Sequence, residues 1–331
     1  MQYRKLGSSE FEVSRIAFGS WQLTDAKYWG DFDPQDAAHA VQDAIDAGVN
    51  LFDTAEIYDD GRSEVALGKA LGQRRAEVLI ATKVGPDHCG PETVRASCEG
   101  SLQRLGTDWI DVYQIHWPPR DVPFADVWGA LLELRGEGKI RAVGLSNFGV
   151  RDLVSWPDLH EVTSNQIGYN LLFRAAEFGI IPACHEHELG VLVYMPLMQG
   201  LLCGKWAEVA DVPSSRRRTR HFNAAGGLAR HGGPGCERLM FETIGELKEL
   251  AAELKITMAD LAIARLLAKT EVTSLIVGCR RPDQLRRNVK VVGMTLDAGT
   301  CARVDAATDS LKQELGPNAD MWDNDENARI H

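Results

Sequence analysis

The chain has 331 residues, of which 44% are hydrophobic and 25% are charged, and its formal net charge at pH 7 is −11. This composition is typical of a globular protein and excludes a disordered one, while the negative charge argues against nucleic-acid binding. Residues 1–18 contain no signal-like apolar run, and no segment reaches the roughly 18 apolar residues of a membrane span, so the sequence predicts a cytoplasmic protein without membrane or nucleic-acid partners.

Short β-branched runs alternate with amphipathic stretches along the chain, after a predicted hairpin at residues 3–13. Helix start signals support the pattern: Pro34 and Pro91 stand in first turns, and Thr257 with Asp260 forms a capping box. The predicted strands are 14–18, 49–52, 78–82, 110–115, 142–145, 162–166, 191–195 and 273–277, and the predicted helices include 34–47, 63–71, 91–105, 124–137 and 257–269.

Eight strands joined by helical crossovers predict an α/β fold, a (β/α)8 TIM barrel with an N-terminal hairpin, in a single domain over residues 1–331. The main alternative, an open doubly wound sheet, usually carries a G-x-G-x-x-G turn after its first strand, and this chain has none. Residues 203–236 form a long loop after strand seven. The acidic C-terminal tail, about 313–331, either covers the barrel mouth or lies in solvent as a mobile tail, and the second placement is slightly favoured.

Residue spacing argues against three other kinds of site: a cysteine framework, a metal site and a phosphate-binding loop. The seven cysteines include no CxxC pair, which favours reduced structural thiols. The run His185-Glu186-His187-Glu188 lacks the HExxH spacing, so we expect a solvated helix end and no metal. The stretch GLLCGK at 200–205 departs from a Walker A loop in its spacing and in the Trp206 that follows.

Four ionisable residues follow neighbouring strands at the end of a barrel where active sites form: Asp53, Tyr58, Lys83 and His116. A phenol is a weak acid at neutral pH unless a nearby cation stabilises its phenolate, which Lys83 can do. Asp53 would hold Lys83 in place and keep it protonated, and His116 would donate a hydrogen bond to a substrate oxygen. Such a set predicts the protonation of an oxyanion, as in carbonyl reduction.

The chain resembles the aldo-keto reductase family in specific stretches spread along nearly its whole length. These are FDTAEIYDDGRSEVALGKAL (52–71), LIATKVG (79–85), SLQRLGTDWIDVYQIHWP (101–118), GKIRAVGLSNF (138–148), YMPLMQGLLCGK (194–205) and VGCRRPDQLRRN (277–288). The resemblance implies the barrel, a nicotinamide cofactor, and Tyr58 as the acid of a tetrad completed by Asp53, Lys83 and His116.

The resemblance also implies where the cofactor lies. Ser146, Asn147 and Gln166 match contacts to its carboxamide, and Tyr194 matches the aromatic residue that stacks under the nicotinamide ring. The turn after strand seven matches the loop along the pyrophosphate, and the last strand's end matches the adenosine contacts. These two groups comprise Pro196, Leu197, Gly200, Leu201, Gly204, Lys205, Gly278, Arg280, Gln284 and Asn288.

One position departs from the family pattern. Arg287 stands where relatives commonly carry Glu, and Arg287 cannot accept a hydrogen bond from the adenine amino group. Arg280 matches the residue placed for a 2′-phosphate, and the surrounding arginines favour NADP(H) over NAD(H). Arg281 and Arg286 either add to this charge or only coat a solvated helix.

Trp21, Trp29 and Trp117 are the predicted substrate contacts, which suggests a flat surface that is hydrophobic or suited to a sugar face. The alternative for each tryptophan is packing within the barrel loops. The basic run at 216–218 either closes over the cofactor or pairs with an anionic substrate. The predicted function is NADPH-dependent reduction of an aldehyde or ketone to an alcohol. Two alternatives are a sugar or alcohol dehydrogenase running oxidatively and a non-catalytic NADP(H)-binding redox sensor; a homo-oligomer is also open.

Overall fold

The structure is a computed structural model that describes residues 1–24, 26–226 and 228–331. Eight of its strands form a closed barrel in the order β10-β3-β4-β5-β6-β7-β8-β9, every neighbouring pair being parallel. The strands are β1 (Tyr3–Lys5), β2 (Glu12–Ser14), β3 (Ile16–Gly19), β4 (Leu51–Asp53), β5 (Leu79–Val84), β6 (Ile110–Ile115), β7 (Ile140–Ser146), β8 (Val162–Gly168), β9 (Gly190–Tyr194) and β10 (Val272–Gly278).

This closed parallel barrel confirms the predicted TIM barrel, and each predicted strand is found with boundaries that shift by only one or two residues. The helices are α1 (Ala26–Trp29), α2 (Pro34–Asp46), α3 (Arg62–Leu71), α4 (Pro91–Leu105), α5 (Phe124–Gly136), α6 (Val150–Val154), α7 (Ile180–Glu186), α8 (Glu237–Glu253), α9 (Met258–Leu267), α10 (Pro282–Lys290) and α11 (Ala298–Leu315). None of the described helices combines the length and apolar character needed to cross a membrane.

Capping residues set several helix starts as the sequence predicts. The Asp33 side chain accepts a hydrogen bond from the Gln35 amide before α2, with Pro34 in the first turn. Thr257 and Asp260 exchange the two hydrogen bonds of a capping box at the start of α9. These local bonds satisfy amides that a helix leaves unpaired at its N-terminus.

The N-terminal hairpin closes the end of the barrel at which the strands begin. Strands β1 and β2 pair antiparallel, and Leu6 and Val13 pack with residues inside the barrel. Gly7, with φ +56°, lies so close to β8 that an added Cβ would be 2.2 Å from the Thr163 carbonyl oxygen. Because the hairpin closes this end, the open end is where the strands finish.

Two hydrophobic cores support that open end. The larger lies between the strands and the surrounding helices, and it includes Phe18, Phe52 and Tyr113. The second lies beside the mouth and joins α8 and α11 to the loop after β9 through residues such as Met240, Leu311 and Phe222. The long predicted loop at 203–236 is therefore packed against helices, and the part of it that the structure describes carries three short 3-10 turns.

The buried His221 fastens this loop to the barrel. Its Nε2 lies 2.9 Å from the Leu172 carbonyl oxygen, so Nε2 carries the proton, and Nδ1 accepts from the Thr219 hydroxyl at 3.0 Å. Burial lowers the pKa of His221 to about 4, against the raising effect of the Leu172 hydrogen bond. The folded protein therefore holds this imidazole neutral at pH values where an unfolded chain would protonate it.

We expect His221 to reduce stability as the solution is acidified. Below about pH 6.5 this histidine is protonated in the unfolded chain, whereas in the folded chain it stays neutral down to about pH 4. The free energy of unfolding therefore falls by about 3 kcal/mol between these two pH values. Urea unfolding of wild type and His221→Gln at about pH 7.5 and about pH 4.5 measures this. The stability difference between the two proteins should shrink at the lower pH, and a constant difference would contradict the assignment.

The C-terminal segment does not lie in solvent, contrary to the placement favoured from the sequence. Helix α11 continues to Leu315, and residues 316–331 then cross the barrel mouth. Asp320 is fully buried and pairs with Arg329, and Arg120 donates to the Arg329 carbonyl oxygen. Of the acidic residues in this segment, Asp320 and Asp323 are buried and pair with Arg329 and Arg230, whereas Asp325 and Glu326 are exposed.

Candidate active site

The four ionisable residues picked from the sequence meet at the mouth. Asp53 is the last residue of β4, Lys83 lies near the end of β5, and His116 directly follows β6. Tyr58 comes from the loop after β4. Because neighbouring parallel strands finish at the same end, their terminal side chains converge.

Lys83 joins these groups by three hydrogen bonds. Its ammonium donates to Asp53 Oδ1 at 2.8 Å, to the Thr54 carbonyl oxygen at 2.8 Å and to the Tyr58 hydroxyl oxygen at 3.2 Å. Lys83 is fully buried and lies behind Tyr58, whereas Tyr58, Asp53 and His116 line the cleft. The His116 ring meets the Tyr58 ring edge-on, with centroids 5.6 Å apart.

Burial dominates the protonation of this cluster. It raises the pKa of Tyr58 well above its usual value, and Asp53 adds to the rise. It lowers the pKa of Lys83 even though Asp53 opposes the shift, an effect of burial that the sequence-based expectation for Lys83 did not include. Burial, with smaller contributions from Lys83 and Arg329, lowers the pKa of His116 well below its usual value. At neutral pH the phenol is protonated and the imidazole is neutral.

Two buried amides hold the second oxygen of Asp53. Gln166 Nε2 donates to Asp53 Oδ2 at 2.7 Å, and Gln114 Nε2 lies 3.5 Å from the same oxygen. Gln166 also donates to Gln114 Oε1 at 3.3 Å. Gln114 was not predicted, although a single amide within the apolar strand IDVYQI marks it as unusual.

Three of the four residues predicted to hold a carboxamide or stack on a nicotinamide ring, Ser146, Asn147 and Tyr194, lie at or just after the ends of β7 and β9. Asn147 has a positive φ of 62°, and its Nδ2 donates to the His116 carbonyl oxygen at 3.0 Å. The Tyr194 hydroxyl donates to Asn147 Oδ1 at 2.7 Å, and the Ser146 hydroxyl donates to the Gln166 carbonyl oxygen at 3.2 Å. The strained backbone at Asn147 is held by these bonds, as is common at ligand sites.

The turn after β9 is the most strained segment of the mouth. Met195, Met198 and Gln199 all have positive φ, as does Gly200 at 102°. Leu201 and Gly204 do not line the cleft, because Leu201 packs into the second core and Gly204 ends the turn with φ 69°. The other residues predicted to hold the cofactor do line it: Ser146, Asn147, Gln166, Tyr194, Pro196, Leu197, Gly200, Lys205, Gly278, Arg280, Gln284 and Asn288.

The arginines after β10 divide between the cleft and the surface. Arg280 lines the cleft and donates to the Gly30 carbonyl oxygen at 2.7 Å. Arg287 also lines it, and pairs with Asp283 at 2.9 Å. Arg281 and Arg286 pair with Asp283 and Asp43 on the exposed surface, which matches the solvated alternative for these two.

All three predicted tryptophans line the cleft. Trp21 stacks between Tyr58 and Tyr28 at centroid distances of 5.4 Å and 5.1 Å, and Trp29 meets Trp21 edge-on. The Arg216 guanidinium lies 4.5 Å from the Trp29 ring centroid. The loop after β9 therefore reaches across the cleft to the loop after β3.

The cleft has a volume of about 1490 Å³, and the C-terminal segment supplies Trp322 and Arg329 to its wall. Trp322 lies parallel to Tyr194 with centroids 6.4 Å apart, and it meets Trp117 edge-on. Neither residue was predicted, because the sequence around 316–331 has no element periodicity that would place it. Among the described residues, no group of three or more histidines, cysteines or carboxylates converges to hold a metal.

Known proteins resemble this chain in sequence and in structure along most of its length. Residues 15–309 match the family model described as "Aldo/keto reductase family". The chain is 31% identical over 314 residues to an Escherichia coli protein named NADH-specific methylglyoxal reductase, covering 88% of this chain and 93% of that one.

Two solved structures resemble the structure of this chain over nearly its whole length. An aldo-keto reductase from Klebsiella pneumoniae in complex with NADPH has a TM-score of 0.73 at 26% identity, covering 93% and 96% of the two chains. The glycerol dehydrogenase from Gluconobacter oxydans has a TM-score of 0.79 at 26% identity, covering 96% of each. With its closed parallel barrel and a family match over most of its length, the chain belongs to the aldo-keto reductase family of oxidoreductases, which use a nicotinamide cofactor.

Proposed function

We propose that residues 1–331 form a single-domain NADP(H)-dependent reductase of a small-molecule aldehyde or ketone, with Tyr58 as the proton donor. The observation that carries this proposal is the hydrogen bond from the buried Lys83 ammonium to the Tyr58 hydroxyl, 3.2 Å long, at the floor of the cleft. A phenol that receives a hydrogen bond from a cation becomes a stronger acid than burial alone would leave it.

Each residue of the cluster takes a distinct role in this proposal. Tyr58 releases its proton to the substrate oxygen as negative charge develops there. Lys83 favours the resulting phenolate, and Asp53 positions Lys83. The His116 ring nitrogens make no hydrogen bond with the described residues, so its N–H is available to the same substrate oxygen.

The residues along the cleft suit a nicotinamide cofactor. Tyr194 offers a ring face, Ser146 and Asn147 offer polar atoms for a carboxamide, and Lys205 and Arg280 offer charge for phosphates. Gln166 donates both of its observed hydrogen bonds from Nε2, to Asp53 and Gln114. We therefore infer that Gln166 contacts the cofactor through its oxygen or only by packing. When bound, NADPH supplies a hydride.

Arg280→Ala is expected to weaken NADPH binding about ten-fold or more and NADH binding far less. The guanidinium recognises the 2′-phosphate that NADH lacks, by charge-assisted hydrogen bonds. Quenching of tryptophan fluorescence measures both dissociation constants. Arg281→Ala is the matched control, since Arg281 is exposed and paired with Asp283. Equal losses of affinity for NADPH and NADH would show that Arg280 does not recognise the 2′-phosphate. The comparison of the two cofactors matters because the Escherichia coli relative is named as NADH-specific.

The oxidative direction is the second candidate, favoured by the similarity to a glycerol dehydrogenase. The same four residues would then accept a proton from an alcohol, starting with a Tyr58 phenolate. The raised pKa of Tyr58 disfavours that starting state at neutral pH. Rates with NADPH plus aldehyde against NADP⁺ plus the matching alcohol, at neutral pH, distinguish the two. Faster oxidation would overturn the proposed direction.

A further inference from the structure

Arg329 is a cationic side chain at the reacting end of the cleft that the proposed mechanism does not use. Its guanidinium carbon lies 3.7 Å from the Trp117 ring centroid and 5.7 Å from that of Trp322. Trp117 directly follows His116, and both line the cleft with Arg329. The charge therefore stands next to the proposed catalytic groups.

The position of Arg329 is fixed from several sides. Its Nε and Nη2 donate to the two oxygens of the fully buried Asp320, at 2.8 Å and 2.9 Å. Arg120 donates to its carbonyl oxygen at 2.5 Å and is itself paired with Asp152. Stacking on Trp117 holds the guanidinium plane. A cation oriented in this way loses little conformational entropy when a ligand binds.

Arg329 keeps hydrogen-bonding capacity on its open side. A guanidinium has five N–H groups, and Nη1 makes no hydrogen bond with the described residues. The side chain is 36% exposed, whereas that of its partner Asp320 is 0% exposed, and Asp323 is 3.4 Å from Nε. The ion pair thus presents its positive member to the cleft. The lowered pKa of His116, to which Arg329 contributes, agrees with a positive field at that ring.

The two carboxylates that pair with Arg329, Asp320 and Asp323, lie outside the cleft lining. Among the described residues that line the cleft, cationic side chains outnumber carboxylates. Asp59, which follows Tyr58 in the sequence and lines the cleft, is paired with Arg62 at 2.6 Å. An anionic group that enters beside Trp117 therefore meets a free guanidinium edge.

We propose that Arg329 is a specificity-determining residue that binds the carboxylate of a carbonyl substrate, so that the preferred substrates are aldehydes or ketones bearing an acid group. This inference rests on the proposed reductase function. The planar fork of a guanidinium matches a carboxylate, and the stacked tryptophan shields the pair from water. The carbonyl end of the same molecule would reach Tyr58 and His116.

The test compares succinic semialdehyde with its methyl ester, which has the same aldehyde and no charge. We expect the wild-type kcat/KM for the acid to exceed that for the ester about ten-fold or more, and added salt to lower only the value for the acid. Arg329→Gln should reduce the acid-to-ester ratio about ten-fold, and Arg329→Lys should retain part of it. Arg238→Gln, at an exposed position on α8 paired with Glu242, is the matched control and should leave the ratio unchanged.

The outcomes distinguish failure of the proposed role of Arg329 from failure of the proposed reductase function. Turnover of the ester equal to or faster than that of the acid in the wild type overturns the role of Arg329 and leaves the reductase proposal standing. The same holds if Arg329→Gln keeps the wild-type ratio. Absence of turnover with both compounds and with neutral aldehydes overturns the reductase proposal itself. If Arg329→Gln fails to fold by circular dichroism, Arg329→Lys and the salt dependence of the wild-type ratio decide.

Discussion

Replacing Tyr58 with phenylalanine is expected to lower the turnover number for aldehyde reduction about 10²- to 10⁴-fold, the range that a positioned general acid contributes. The substitution removes only the hydroxyl that lies 3.2 Å from the Lys83 ammonium and keeps the ring that stacks on Trp21. The barrel and the cofactor contacts should therefore persist. Steady-state loss of NADPH absorbance with an aldehyde measures the effect.

Tyr3→Phe provides the control for this substitution, because it removes a hydroxyl from the N-terminal hairpin at the other end of the barrel. NADPH titration by fluorescence should give the same dissociation constant for wild type and Tyr58→Phe. Turnover close to the wild-type value in Tyr58→Phe would exclude the phenol as the proton donor.

Lys83→Met is expected to lower both the stability and the activity of the protein, through two effects that can be measured separately. It leaves the Asp53 carboxylate buried without its cation, and breaking such a pair costs about 3–5 kcal/mol in free energy of unfolding. It also removes the cation that favours the Tyr58 phenolate, so activity should fall about 10²-fold or more. Urea unfolding and aldehyde turnover measure the two effects independently.

The double variant Asp53→Asn with Lys83→Met separates the effect of Lys83 on the free energy of unfolding from its effect on catalysis. Removing both charges should restore much of the lost stability, because Gln166 and Gln114 can still hydrogen-bond the amide at position 53. Activity should remain low, since no cation lies behind Tyr58. Wild-type stability of the single Lys83→Met variant, or recovered activity in the double variant, would contradict this account.

The barrel could be predicted from the sequence because its strands and helices each carry a local signal. Runs such as IDVYQI alternate with capped amphipathic helices, and closure follows from the need to cover parallel strands. The convergence of Asp53, Lys83 and His116 follows from the same geometry, since all three stand at or just after strand ends.

The rest of the mouth depends on contacts between residues far apart in the chain. Arg329 lies over Trp117, and Asp320 is buried and paired with Arg329; no local sequence pattern predicts either contact. The prediction that Leu201 lines the cleft was wrong for the same reason, because its side chain packs into the neighbouring second core. Protonation was also incompletely predicted: Asp53 was expected to govern Lys83, whereas burial of the whole cluster outweighs it.

The most direct test of the central claim is to mix the wild-type protein with NADPH and a panel of aldehydes, and to follow nicotinamide absorbance and alcohol formation together. Our account predicts that NADPH is consumed in a one-to-one ratio with the alcohol formed, and that consumption requires the aldehyde. Tight NADPH binding without oxidation by any aldehyde would contradict it and would point to a cofactor-binding sensor.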